Sequence, residues 1–505
     1  MHRTGTAVLL IYVTLLTATA LVARPVAAAV TNPFTLRYAA NTNGSILLRG
    51  NANLVCTPVG GCPNARQGLR PSGESLDNNG HLMINADADG DLGVTTVNDS
   101  TATVAVPPGS SVLFAALYWA ADTTAGVSGA GAPTPGHRNR VLFRTPVTTW
   151  QPVIASTVFG GGGGGYQGFA DVTALVVGAG NGVYGVANIQ AGLGQDRYAG
   201  WTLAIAYRNP AQALRALRVY DGYGSVSSTS GDVDITVGGF ETPHSGTVRA
   251  EIGTVVYEGD RGKSGDTLKI DGAAVSDGAN PADNFFNSTV SSGGADVGGR
   301  DPGWPNLFGV DIDQADATGR LGHAATSATL TLSTTSDTYF PGVVTFAIDL
   351  YAPRMTTTMT GTDVNGGDLL PGDVIEYLIT VRNDGNDTAD DAVFSAAVPT
   401  WTTYVPGSMR VRGDPVTDAA GDDAGTFAGG RAELVLGDIV SNGVVYALLR
   451  VRVDSGVPPG YSITGLVDLS YTGHTADVRV SGPAAPSGSS WPERPTWACP
   501  LPRRS

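Results

Sequence analysis

The sequence predicts an all-β protein, and three observations predict it. Sixty-nine glycines and 30 prolines punctuate a chain rich in Thr and Val and poor in long helix formers. From about residue 100, apolar and polar residues alternate with period two in short runs. Turn residues separate nearly all of those runs.

Residues 1–29 stand apart from the fold. A basic start at Arg3, an apolar run from Ala7 to Ala23, a break at Arg24-Pro25 and the small residues Ala27-Ala28-Ala29 have the layout of a secretory signal peptide. The mature chain is then expected to begin near Val30, secreted or at the cell surface, with no transmembrane anchor left after signal removal. Loss of Arg3 and Arg24 leaves 28 basic against 45 acidic residues, a net charge of −17. Such a surface repels phosphate backbones and excludes nucleic acid as a partner.

Cys56 and Cys62, in "CTPVGGC", lie close together in a turn-rich stretch of an exported chain and predict a local disulfide. A redox or zinc pair would need the C-x-x-C spacing and, for zinc, a second ligand pair.

"HLMINADADGDLGVTTVNDS", residues 81–100, supports two readings. As a calcium loop, Asn85, Asp87, Asp89 and Asp91 supply oxygen at every second position around Gly90, but Thr96 stands where a bidentate Glu is required. As a strand, Asn85, Asp87 and Asp89 share a polar face opposite Ala86 and Ala88. A metal here would be structural, and no other cofactor is expected.

Strands are predicted at "TATVAV" (101–106), at "SVLFAALYWAA" (111–121), apolar enough to be buried, and then along "RVLFRTP", "FADVTALVV", "GVYGVANIQ", "GWTLAIAYRNP" and "ALRVYDGY". "DVDITVGGF", "TVRAEIGTVVYEGD", "TLKIDG", "SATLTLSTT" and "GVVTFAIDLYAP" continue the series. Together they predict a large sandwich or jelly-roll-like region over 30–353. The one helical hint is "AQALRAL" (211–217). Residues 351–373 read as a linker. About seven further strand candidates follow, one immunoglobulin-like sandwich over 354–482, and a Pro/Ser-rich tail at 483–505 reads as disordered.

Catalytic motifs are scarce. Gly262-Lys263-Ser264 mimics the end of a P-loop, but Tyr257 stands where glycine is needed and no helix is predicted to follow. The Gly160–Gly165 run precedes a strand-like segment and reads as a loop. No G-x-S-x-G or H-E-x-x-H occurs, and the histidines are scattered. Asp and Glu are plentiful enough to form a carboxylate pair, yet nothing in the chain singles one out.

Gly372-Asp373-Val374-Ile375-Glu376-Tyr377, Asn383-Asp384-Gly385, Val398-Pro399, Pro406-Gly407-Ser408 and Leu436-Gly437-Asp438-Ile439 resemble the DUF11 family over residues 355–475. The resemblance implies a non-catalytic immunoglobulin-like spacer of bacterial and archaeal surface proteins. The closing strand departs from the pattern, reading "ITGLVDLSYTG" where the family often has Asn-x-Ala. Upstream, "SVLFAALYWAAD", "YAGWTLAIAYRNP", "RVYDGYGSV" and "NFFNSTVSS" are similar to the large region preceding such repeats in actinobacterial exported proteins. The expected role is structural or adhesive and non-enzymatic, with cell-envelope or extracellular polysaccharide or protein as partner. The rival is a carbohydrate-active protein, a calcium-assisted lectin or a glycoside hydrolase, which a groove lined by Tyr118, Trp119, Trp150, Tyr166, Trp201, Tyr220, Tyr223 and Trp304 would favour.

Overall fold

The computed structural model describes residues 30–483 and 499–500, except 91, 92, 94, 161, 162, 230, 245, 464, 466, 476 and 477. The expected signal, residues 1–29, lies outside the described residues, as does most of the expected tail. Of the latter, Cys499–Pro500 pairs with Ser462–Ile463.

One strand, Val30–Ala52, organises the N-terminal region. Up to Asn43 it pairs antiparallel with Leu214–Gly224, and from Gly44 onward with Ala199–Arg208. Gly44 makes the changeover possible: its φ is +149°, and a Cβ there would meet the Tyr207 carbonyl oxygen at 2.0 Å. On one side the sheet continues from Leu214–Gly224 through Thr338–Asp349, Ala250–Tyr257, Val310–Asp316 and Val290–Ser292. On the other it continues from Ala199–Arg208 through Ser111–Asp122, Gly165–Asp171 and Thr157–Phe159.

These two halves pack face to face around Leu48, Tyr118, Leu217, Val255 and Ile312. A second sheet, Asp99–Val104, Gly182–Ala187, Arg140–Arg144 and Gln151–Ile154, covers the outer face of one half, with Trp119, Trp201, Phe143 and Tyr184 between them. A third, Val233–Gly238, Ser327–Ser333 and Thr267–Ile270, covers the other through Ile235, Leu268, Leu330 and Phe346. The N-terminal region is thus four β-layers enclosing three cores. Its inner strands are buried on both faces, which is why Phe114–Ala121 is apolar without alternation. Trp119 and Trp201 are fully buried, and each removes roughly 150–250 Å² from water, an upper bound of about 4–6 kcal/mol. Their indole N–H groups donate to the Arg138 carbonyl at 3.0 Å and to Ser100 Oγ at 2.8 Å, so the burial strands no donor.

Several local expectations are corrected. "AQALRAL" forms no helix: Leu214–Gly224 is a strand, because its residues fill sheet positions between two partners. "FADVTALVV" splits into the strand Gly165–Asp171 and the helix Thr173–Ala179, where Val176 alone is buried. Residues 85–90 are not one strand, since pairing stops after Met83–Asn85 and Gly90 takes φ +78°. The linker reading of 351–373 fails over Met355–Asp363, which pairs along its length with Val374–Asn383.

Beyond Leu350 a separate sandwich forms. One sheet holds Met355–Asp363, Val374–Asn383 and Val444–Val453; the other holds Gly425–Ala428, Arg431–Ile439, Ala389–Ala397 and Val467–Gly473. Its core includes Ile375, Tyr377, Ile379, Val381, Leu434, Leu436, Leu449 and Val451, drawn from alternate positions of facing strands. At the junction the Asn386 side chain donates to the Leu350 carbonyl and accepts from the Ala352 N–H.

Candidate functional site

The stretch that invited a calcium reading folds into a loop over the Asp99–Val104 strand. Carboxylate oxygens of Asp87, Asp89 and Asp99 all lie within 4.8 Å of one another. Asn85 instead sits in a strand, paired with Leu54, and Asp91 lies outside the described residues. Asp99 was not legible as a member of this group, because it opens the next strand. Its carboxylate accepts the Ala88 N–H at 3.1 Å and the Thr96 hydroxyl at 3.1 Å, while Asp87 accepts the Gly90 N–H and Asp89 the Trp150 indole N–H. Burial, and then the charge of Asp89, lift the Asp99 carboxyl to about 6. Three carboxylates at this spacing are donors of the kind a hard cation takes.

A second site has no local sequence signature. The strand Ala250–Tyr257 ends at Glu258, whose φ is +69° and whose side chain turns into the protein. Asn78 Nδ2 donates to Glu258 Oε2 at 2.6 Å. A Cβ at Gly309, φ +92°, would lie 2.7 Å from that same oxygen, so only glycine leaves the carboxyl its space. Burial, reinforced by the charges of Asp260 and Asp196, holds the Glu258 carboxyl well above the usual carboxylate range.

Glu258 lines a cleft of about 390 Å³ together with Asp122, Asp196, Arg197, Tyr198, Lys263, Asp337 and Phe340. Both cations in it are committed. The Arg197 guanidinium faces Asp122 at 3.7 Å and Asp196 at 3.4 Å, and donates to the Thr124 and Ala125 carbonyls. Lys263 Nζ reaches Asp260 at 2.5 Å, Asp337 at 3.4 Å and Asn79 Oδ1 at 2.9 Å. Burial opposes the Lys263 ammonium, but these carboxylates outweigh it and hold its pKa above the ordinary value. The Tyr198 and Tyr223 rings stack with the half-buried Phe340 at 6.0 and 5.8 Å and give the cleft one apolar wall. The P-loop reading stays rejected: a strand, Thr267–Ile270, follows Lys263.

The aromatics that could have lined a groove are mostly core. Tyr118, Trp119, Tyr166, Trp201, Tyr220 and Tyr223 are buried, and Trp150 and Trp304 carry Arg144 and Arg66 over their rings. Cys56 and Cys62 are disulfide-bonded, next to the short helix Cys62–Arg66. Among the described residues no helix is long and apolar enough to cross a membrane.

No protein-family model matches the chain, and no curated protein matches it. Among solved structures it is similar to a C-terminal fragment of the major pilin GBS80 of Streptococcus agalactiae, at 9% identity and TM-score 0.18, over 30% of this chain and 54% of that one. The chain thus spans about half the length of that pilin fragment. A putative membrane anchored protein from Corynebacterium diphtheriae aligns over 90% of this chain and 99% of its own, at 8% identity and TM-score 0.17. The N-terminal domain of the Streptococcus gordonii adhesin Sgo0707 aligns over 79% and 92%, at 9% identity and TM-score 0.21. Scores this low establish no shared role.

Proposed function

We propose that the chain is an exported, non-enzymatic protein of the cell surface or extracellular space, with a structural or adhesive role. The N-terminal layers hold an envelope or extracellular polysaccharide in the Glu258 cleft, and the C-terminal sandwich serves as spacer. The cleft carries this reading: it sets hydrogen-bonding carboxylates beside the exposed part of Phe340, the mixture of polar groups and one apolar wall that a sugar ring and its hydroxyls require. The Cys56–Cys62 bridge supports an oxidising compartment, and the resemblance of 355–475 to DUF11 supports the spacer. A structural calcium at Asp87, Asp89 and Asp99 fits the same setting.

One observation favours a second reading. Glu258, whose carboxyl is held well above the usual range chiefly by burial, lines the cleft together with Asp196 and Asp122, and a raised carboxyl among further acidic side chains is the set from which a glycoside hydrolase draws its acid and its second carboxylate. Co-sedimentation of the purified chain with isolated envelope polysaccharide, with an assay of released reducing ends, tests both. Co-sedimentation without release supports the binder, release supports the hydrolase, and neither result leaves the cleft without a saccharide role.

A further inference from the structure

Glu258 is a carboxylate of the cleft that neither of the cleft's cations answers. Four carboxylates line the cleft, those of Asp122, Asp196, Glu258 and Asp337, against the two cations Arg197 and Lys263. Arg197 is paired with Asp122 and Asp196, and Lys263 with Asp260 and Asp337, with Asp77 at 3.9 Å. Each cation thus faces more carboxylates than it can neutralise, and the ion pairs of both leave Glu258 out. The donor that its Oε2 accepts is neutral, the Asn78 amide at 2.6 Å. The other groups set against it include Asp196, Asp260, Tyr198 and Tyr223, and none of these brings a positive charge. Glu258 is 7% exposed and lines the cleft, so an uncompensated acid is buried in its wall.

A positive charge is therefore what the cleft lacks, and a ligand is the remaining source of one. An anionic polymer would bring like charge towards Asp196 and Glu258 and be repelled. A neutral sugar leaves Glu258 carrying the proton that burial, and then the charges of Asp260 and Asp196, hold on it. An ammonium instead pairs with the ionised carboxylate, in surroundings where poor solvation strengthens the attraction. The aromatic wall adds to this. Tyr198 stacks with Tyr257 and with Phe340, each at 6.0 Å, and ring faces attract a cation within about 6 Å. The rest of the lining suits the sugar that would carry the ammonium: the hydroxyls of Ser228, Ser336 and Thr338 and the amide of Asn79 meet hydroxyl groups, which a lysine side chain does not offer.

We propose that the cleft takes a polysaccharide bearing free amino groups, a deacetylated amino sugar whose ammonium pairs with Glu258 while its hydroxyls bond the Ser and Thr side chains of the lining. The inference rests on the saccharide reading of the cleft and narrows it to one class of sugar. It also carries a signature that a neutral ligand lacks. Glu258 enters the complex as a carboxylate, its proton passes to the buffer, and binding releases about one proton per site.

The full chain is titrated calorimetrically with a short glucosamine oligomer, its N-acetylated counterpart, oligolysine and envelope-polysaccharide fragments. Two mildly acidic buffers of different ionisation enthalpy are used, in which the ligand amine is fully protonated. The glucosamine oligomer should bind at least about tenfold more tightly than the N-acetylated one and release a proton, whereas the N-acetylated one releases none. Glu258→Gln should remove both the release and the preference while leaving affinity for the N-acetylated oligomer unchanged. Should Glu258→Gln fail to fold, Asp196→Asn, at a half-exposed side chain, takes its place and should narrow the preference about threefold. Failure of the glucosamine oligomer to bind, equal affinity for the two oligomers, binding without proton release, or oligolysine binding as tightly as the amino sugar would each overturn the inference. If the envelope fragments still bind in such a case, the saccharide reading stands and the amino-sugar assignment alone is wrong; if they do not, both fall.

Discussion

Arg37 and Asp221 form a two-pronged ion pair between the inner layers, with Nε donating to Oδ2 at 2.8 Å and Nη2 to Oδ1 at 3.0 Å. The Asp221 side chain is wholly buried, also accepts the Tyr118 hydroxyl at 3.1 Å, and lies under a guanidinium stacked 4.3 Å over the Phe169 ring. Such a pair is costly to desolvate, and its geometry is what makes it tolerable. Arg37→Ala strands the Asp221 charge and should destabilise the N-terminal region by about 3–5 kcal/mol. Denaturant unfolding of the whole chain measures it, and a loss below about 1 kcal/mol would mean that water reaches Asp221.

Asp99 gives a pH dependence whose direction is fixed. Its carboxyl titrates at about 6 in the fold against 3.8 ordinarily, so between those values the folded chain binds more protons than the unfolded one. Calcium-free protein should therefore lose stability as pH rises from about 4 to about 6, by at most about 3 kcal/mol. Asp99→Asn should flatten the profile. Thermal melts in chelator across that range are the check, and stability rising through the window would reverse the assignment.

The Cys56–Cys62 bridge closes a loop shorter than 15 residues, so its chain-entropy contribution falls below about 3 kcal/mol. Reduction should loosen residues 51–66 without unfolding the layers. Hydrogen exchange on reduced and oxidised protein distinguishes that from a global effect, and labelling of both thiols in native protein would deny the bridge.

The C-terminal sandwich contains no lysine and no cysteine between 354 and 482, so neither a lysine isopeptide nor a disulfide can lock it. Packing of residues such as Ile379, Leu434 and Val451 has to suffice. An isolated 354–482 fragment is expected to unfold reversibly with about 5–15 kcal/mol of stability. Its intact mass should equal the sequence mass, and a deficit of ammonia or water would reveal a covalent lock.

Much of this architecture was legible because burial leaves a mark on neighbouring residues. Alternation placed Ile375, Tyr377, Ile379 and Val381 in a core, and the unbroken apolar run at 111–121 signalled a strand covered on both faces. Val30–Ala52 was not legible, since its first half is largely exposed and polar while its role is to join two sheets. The Glu258 cleft was invisible for a different reason. Asn78, Asp122, Asp196, Glu258 and Phe340 are brought together by topology, so no spacing records them. Asp99 lay within the quoted stretch yet outside the periodic pattern that drew attention to Asp87 and Asp89.

The central claim is that the Glu258 cleft holds a polysaccharide. Calorimetric titration of the full chain with soluble envelope-polysaccharide fragments, repeated on Phe340→Ala, tests it most directly, because Phe340 is the cleft's half-buried apolar wall. Saturable binding that weakens at least tenfold in Phe340→Ala, and is unchanged in Trp150→Ala on the opposite outer sheet, is the predicted result. Absence of binding, or equal affinity in wild type and Phe340→Ala, would contradict it.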